Sequence, residues 1–205
     1  MLVQLMRQLD DGKHPRAKAG LVEQAQRLQV HGFSAIIFEG SHTRLEALEQ
    51  LTKKPDLEIE IRAPYREHLL WKQGYILRTK IPLRDAQGVA GYVIAEQPLH
   101  AISRMSSEIT SWGSTGDMAV CAAEARNLQC FPIRSKPQAF TVPDQYLNQP
   151  LPMAYAVRQQ TGVIKSLDFR GKRVLAAFGP IGDTNLGMVL KMDVAEIYAP
   201  IREQF

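Results

Sequence analysis

Residues 168–201 read "DFRGKRVLAAFGPIGDTNLGMVLKMDVAEIYAPI" and residues 80–102 read "KIPLRDAQGVAGYVIAEQPLHAI". In each, a strand-like apolar run meets a Pro, then an Asp-containing turn, a Gly, a second apolar run, an acidic residue and an amphipathic helix. Phe178 to Ile201 and Lys80 to Ile102 stand roughly 97 residues apart, and self-similarity at a fixed period marks repeated modules. Each copy would close a small unit in which helices come first and an antiparallel sheet follows, an α+β pattern.

The residues around these hairpins supply the rest of each unit. Leu2, Leu5, Met6 and Leu9 form one stripe of a short helix that Asp10-Asp11-Gly12 and Pro15 end. Leu21, Val22, Ala25 and Leu28 form the stripe of a second helix, closed by Gly32. "FSAIIFEG" predicts the first strand. Thr43-Arg44-Leu45-Glu46 has the form of a capping box and predicts a helix carrying Leu45, Leu48 and Leu51. "LEIEIR" and "YILRTKI" alternate as strands with one wet face, the second placing Tyr75, Leu77, Thr79 and Ile81 on one side and Arg78 and Lys80 on the other. A helix from about Ala101 to Ile109 follows the first hairpin. In the second half "DMAVCAA" and "LQCFPIR" flank a polar turn, prolines at 137, 143, 150 and 152 mark a connecting stretch, and "GVIKSLDF", "KRVLAAF" and "LGMVLKM" are three further strands. A helix from Val194 to Glu203 ends the chain.

Composition excludes several functions. The formal net charge of +4 is divided evenly, with 14 Lys+Arg against 12 Asp+Glu in residues 1–100 and 11 against 9 thereafter. Nucleic-acid affinity needs clustered cations on phosphates, and Lys53-Lys54 and Arg170 to Arg173 are too short for that. No run of about 18 uncharged apolar residues is present, and the amino terminus lacks the form of a secretory signal. The histidines, at 14, 31, 42, 68 and 100, have no metal-ligand spacing. With no nucleophile elbow, phosphate loop or dinucleotide fingerprint, the sequence predicts neither a catalytic residue nor a cofactor, and a small hydrolase has no motif to support it.

"GSTGDMAVCAA", "FPIR" and "SLDFRGKRVLAAFGPIGDTNLGMVLKMDVAEIYAPI" resemble the membrane-proximal part of the double Cache family, the PAS-like extracytoplasmic sensor domains of bacterial histidine kinases, chemoreceptors and diguanylate cyclases. That family has a Gly-x-Thr-Gly-Glu lead-in to the first strand, a D-x-x-G hairpin and an exit helix. Ser114, Thr115 and Gly116 match, as do Asp168, Gly171 and Gly187, with Asp117 in place of the Glu.

The resemblance implies two PAS-like modules, each an antiparallel sheet flanked by helices: an N-terminal helical segment (1–30), a membrane-distal module (31–99) and a membrane-proximal module with the exit helix (100–205). It implies a non-catalytic periplasmic sensor between two transmembrane helices of a parent protein, a histidine kinase or a diguanylate cyclase, that self-associates weakly through its first helix. A cytosolic PAS-like or GAF-like regulatory dimerisation module is the alternative.

Two site expectations complete the reading. Arg62, Tyr65, Arg66, Trp71, Tyr75 and Arg78 gather aromatic rings and cations within one short segment, the materials of a pocket for a small carboxylate or amino acid, and the family's ligand usually sits in the distal module. Trp112, Arg134 and Asp168 are the competing proximal set. If the hairpin turns between Ala125 and Arg126, Cys121 and Cys130 lie directly opposite each other. They would bridge in an oxidising compartment and remain two buried thiols in cytosol.

Overall fold

The computed structural model describes residues 1–12, 15–61 and 66–199. They divide into two compact units, Met1–Leu99 and His100–Phe205.

In the first unit the Leu2, Leu5, Met6 and Leu9 stripe forms α1 (Leu2–Asp10), and α2 (Pro15–Gln29) buries Ala17, Leu21 and Ala25. Both helices lie on one face of a six-stranded antiparallel sheet made of β1 (Ala35–Glu39), β2 (Arg44–Glu46), β3 (Leu57–Ile61), β4 (Arg66–Trp71), β5 (Tyr75–Asp85) and β6 (Gly88–Pro98). The strand order is β2-β1-β6-β5-β4-β3. Met6, Leu21 and Ala25 pack on Ile36, Phe38, Leu45, Leu83, Val93 and Ala95. Gly91 lets the sheet close at β1, since a Cβ there would stand 2.6 Å from the Glu39 carbonyl oxygen.

The capping box at Thr43–Glu46 does not start a helix. Arg44–Glu46 form β2, paired to β1 in the register Ile37↔Glu46 and Glu39↔Arg44. The reason lies in α1: Asp10 accepts the backbone N–H groups of Ser41 (3.1 Å), His42 (2.7 Å) and Thr43 (3.1 Å), and the Thr43 hydroxyl donates to the same carboxylate at 2.7 Å. The hydroxyl that would cap a helix is taken by a distant acid, and Leu45 is buried as a strand residue. β4 was not marked by alternation either, because Leu69, Leu70 and Trp71 are consecutive apolar residues and the neighbours Leu69 and Leu70 are both buried, one on each face.

The second unit repeats the plan. α3 (His100–Glu108) runs into a 3-10 turn, Ile109–Trp112, and the sheet comprises β7 (Asp117–Glu124), β8 (Asn127–Cys130), β9 (Phe140–Pro143), β12 (Gly162–Leu167), β13 (Arg173–Pro180) and β14 (Leu186–Asp193). Its order is β12-β13-β14-β7-β8-β9. The two repeated hairpins, β5–β6 and β13–β14, occupy corresponding places: in each sheet the last strand pairs with its predecessor and with the first strand.

The proline-rich stretch is more ordered than its composition suggested. It contains β9, a two-strand ribbon of β10 (Gln145–Tyr146) and β11 (Gln149–Pro150), and α4 (Pro152–Val157). Pro152 sits at the start of α4, where its missing N–H costs nothing. α4 lays Met153, Ala154 and Ala156 over Ala119, Cys121, Cys130, Val174, Ala176 and Val189. It packs against Gly187, where a Cβ would stand 2.6 Å from that of Ala156.

Ala125, at φ 55°, turns the β7–β8 hairpin so that Cys121 faces Cys130, and the two are joined by a disulfide. Met153 Sδ lies 3.3 Å from Cys121 Sγ, which fixes α4 over the bridge. α5 spans Val194–Ile197 and is capped by Tyr198, and residues 200–203 of the expected helix lie outside the described residues.

Candidate functional site: the charged face of the first sheet

Side chains alternate across a strand, so the register of β4 and β5 decides which predicted site residues meet. Trp71 pairs with Tyr75, and their rings make an edge-to-face contact with centroids 4.8 Å apart. Tyr75 is buried, and burial pushes its phenol well above the usual range. Both share the parity of Leu69 and Leu77, whereas Arg78 pairs with His68 on the opposite face. The structure therefore places Trp71 and Tyr75 on one face of the sheet and Arg78 on the other. Arg62, Tyr65 and the side chain of Arg66 lie outside the described residues.

The face that carries Arg78 is turned away from α1 and α2 and is densely charged. Glu96, only 2% exposed, lies beside Arg78 in the neighbouring strand at 2.6 Å. Its other oxygen accepts the backbone N–H and the hydroxyl of Thr52, both at 2.9 Å, and Arg78 Nη2 donates to the Thr52 carbonyl at 2.7 Å. The segment after β2 is thus pinned over the sheet by one buried ion pair. Glu58 stands 3.5 Å from Arg78 and 3.0 Å from His68.

Farther along the same face, Lys80 bonds Glu39 at 2.7 Å and lies over the Tyr92 ring, 4.4 Å from its centroid. Arg44 approaches Glu39 at 3.8 Å. Lys80 and His68 remain about one-third exposed while Arg78 is mostly covered. Arg78 holds the covering segment, and Lys80, Tyr92 and His68 are the groups that can meet a solute. The alternation of "YILRTKI" had already put Arg78 and Lys80 on one side. Glu96 and Thr52 carried no local signal, because their partners are distant in sequence.

In the second unit the three alternative residues do not converge. Asp168 is fully buried in the β12–β13 hairpin, where it accepts the N–H groups of Arg170 and Lys172 and pairs with Lys191 at 2.5 Å and Arg170 at 2.7 Å. Burial opposes its charge, yet Lys191 and Arg170 hold its carboxyl below the ordinary carboxylate range. Arg134 donates to the Ser114 carbonyl. Trp112 is 64% exposed beside an apolar cleft of about 280 Å3 lined by Ile109, Val163, Leu175, Leu190 and Ile197, on the sheet face away from α4. The described residues contain no group of His, Cys, Asp and Glu able to hold a metal ion.

No protein-family model and no curated protein matches the chain. Solved structures do. The ligand-binding domain of the Pseudomonas aeruginosa PAO1 amino acid chemoreceptor PctC, solved with GABA, superposes with a TM-score of 0.52 at 14% identity, over 93% of this chain and 87% of that one. The fold is that of this two-module domain. The extracellular domain of a candidate histidine kinase, rpHK1S-Z16, agrees with a TM-score of 0.50 at 10% identity, over 96% of this chain and 84% of the other. The α+β class and the PAS-like, sheet-and-helix modules implied by the double Cache resemblance are those of the structure. Among the described residues no helix is long and apolar enough to cross a membrane.

Proposed function

We propose that this chain is the ligand-sensing, non-catalytic part of a bacterial transmembrane signalling protein, and that it binds a small amino acid or carboxylate on the charged face of the first sheet. The observation that carries the reading is the mixed-sign row Glu39–Lys80–Arg78–Glu96 on a face that the helices leave uncovered, within a sensor fold. A zwitterion needs both signs fixed in place, and the Arg78–Glu96 pair with Thr52 supplies a rigid floor. Lys80, Tyr92 and His68 would contact the solute, together with Arg62 and Tyr65 from between β3 and β4 and Arg66 at the start of β4, while Trp71 and Tyr75 would support the sheet from behind.

The fold and the disulfide support an extracytoplasmic location, since bridges persist in oxidising compartments. In the parent protein the first unit, with residues 1–30 as its helical lead, would lie distal to the membrane and the second, from residue 100, proximal. Transmembrane helices would flank both ends, a weak dimer would form through α1, and a histidine kinase or diguanylate cyclase would receive the signal. A ligand with different affinities for two arrangements shifts their populations by that difference.

A thermal-shift screen of amino acids and short organic acids tests the site. A ligand that binds the native state raises the midpoint. Lys80→Gln or Arg62→Ala is expected to abolish that shift and Trp112→Ala to leave it. The converse pattern would move the site to the second unit and overturn the assignment.

A further inference from the structure

The start of α5 is tied to the loop before β7 by a single carboxylate. Glu196 Oε1 accepts the backbone N–H of Ser114 at 2.5 Å and its hydroxyl at 2.9 Å. Oε2 accepts the N–H of Thr115 at 2.8 Å and the Thr115 hydroxyl. The Thr115 oxygen in turn accepts the N–H of Asp193 at 3.0 Å, where β14 ends. Two successive backbone N–H groups aimed at one point, flanked by two hydroxyls, form a concave anion site.

The surrounding residues are shaped for that occupant. A Cβ on Gly113 would stand 2.8 Å from Glu196 Oε1, so a larger residue there would have to displace the carboxylate. A Cβ on Gly116 would meet the Ile109 carbonyl oxygen at 2.9 Å, which keeps the loop against the 3-10 turn. On the far side Arg134 donates to the Ser114 carbonyl through its guanidinium, and its backbone N–H donates to Asp117 at 3.0 Å. Meanwhile α5 has no fully buried residue. Ile197 is only partly covered, beside the apolar cleft, and a four-residue helix does not persist alone. The Glu196 carboxylate ties this helix to the loop before β7 through four hydrogen bonds.

We propose that Gly113–Gly116 is a carboxylate-binding cradle whose resident ligand is the chain's own Glu196, so that α5 has two states, docked in the cradle and released from it. The released state exposes two N–H groups and two hydroxyls that a small free carboxylate can occupy. The cradle lies wholly within the second unit and does not depend on a ligand in the first, so the two readings fail independently.

The test uses the full 205-residue chain and acetate as the probe. In the wild type the Ser114 and Thr115 amides are expected to exchange slowly and to be indifferent to acetate. In Glu196→Ala they should exchange about tenfold faster or more, together with the amides of residues 194–198, while those of β13 stay protected. Acetate at high millimolar concentration should then shift the Ser114 and Thr115 amide resonances back toward their wild-type positions. Gly113→Ala, which keeps Glu196 but fills its space, should release α5 in the same way. Unchanged exchange in both variants overturns the proposal, and so does faster exchange in Glu196→Ala with no acetate response.

Discussion

Arg78 and Glu96 face each other across β5 and β6 at 2.6 Å, and Glu96 is 2% exposed. Removing one member of such a pair leaves a charge without its partner in a dry site, which costs far more than the pair itself contributes. Glu96→Leu is therefore expected to lower stability by about 3 kcal/mol, the low end for a buried pair because Glu58 remains near Arg78. The double variant Arg78→Met with Glu96→Leu should recover most of that loss. Urea denaturation of the wild type, both single variants and the double variant checks it, and a strictly additive double variant would refute the coupling.

Asp10 organises the turn between β1 and β2 from the end of α1. With the N–H of His42 foremost, and the Thr43 hydroxyl and Ser41 N–H adding to it, its carboxyl is held below the usual range despite some burial. Asp10→Ala should cost about 1–2 kcal/mol once solvent screening is allowed for. It should also raise proteolytic cleavage within residues 40–46. Gly40→Ala should act similarly, because its Cβ would fall 2.6 Å from Asp10 Oδ1.

The Cys121–Cys130 bridge closes a short loop over the core of the second unit. On chain-entropy grounds, replacing both cysteines by alanine should lower stability by about 2–3 kcal/mol. Alkylation followed by mass spectrometry should find no free thiol in the oxidised protein and two after reduction. Denaturation with and without reductant gives the energy.

Acid should release α5 before the rest of the second unit. The hydrogen bond from the Thr115 hydroxyl and the Ser114 N–H, followed by the remaining donors, lower the Glu196 carboxyl from 4.5 to about 2. A group whose folded value is depressed contributes its stabilisation above the unfolded value and loses it as pH falls toward the folded one. The window is therefore pH 4.5 down to about 2. The Thr115 amide resonance should titrate near the lower limit, and Glu196→Gln should abolish that titration. A wild-type midpoint near 4.5 would show that the carboxylate is not held.

The hairpins that close each unit were legible because their strands, turns and glycines lie within a short span, and so was the facing of Cys121 and Cys130. The pairing of Thr43 with Asp10 was not, since a capping box and a strand start share the same four residues and only a distant carboxylate decides between them. α4 was hidden by its own start: Pro150 and Pro152 read as loop residues, while the apolar face that fixes the helix exists only against Gly187 and the bridge. At the candidate site, alternation separated Arg78 from Tyr75, but sequence proximity drew them into one cluster. Two residues in one strand at odd spacing cannot line the same pocket.

β14 lies between β13 and β7 and leads directly into α5. A pull or twist applied along α5 is therefore delivered to an interior strand that is hydrogen-bonded on both flanks, in shear along its length, and the bonds on both sides must yield together. Had α5 followed an outer strand such as β12, the same load would have peeled one ladder open a bond at a time. The second unit thus offers a stiff mechanical mount for any load that reaches it through α5.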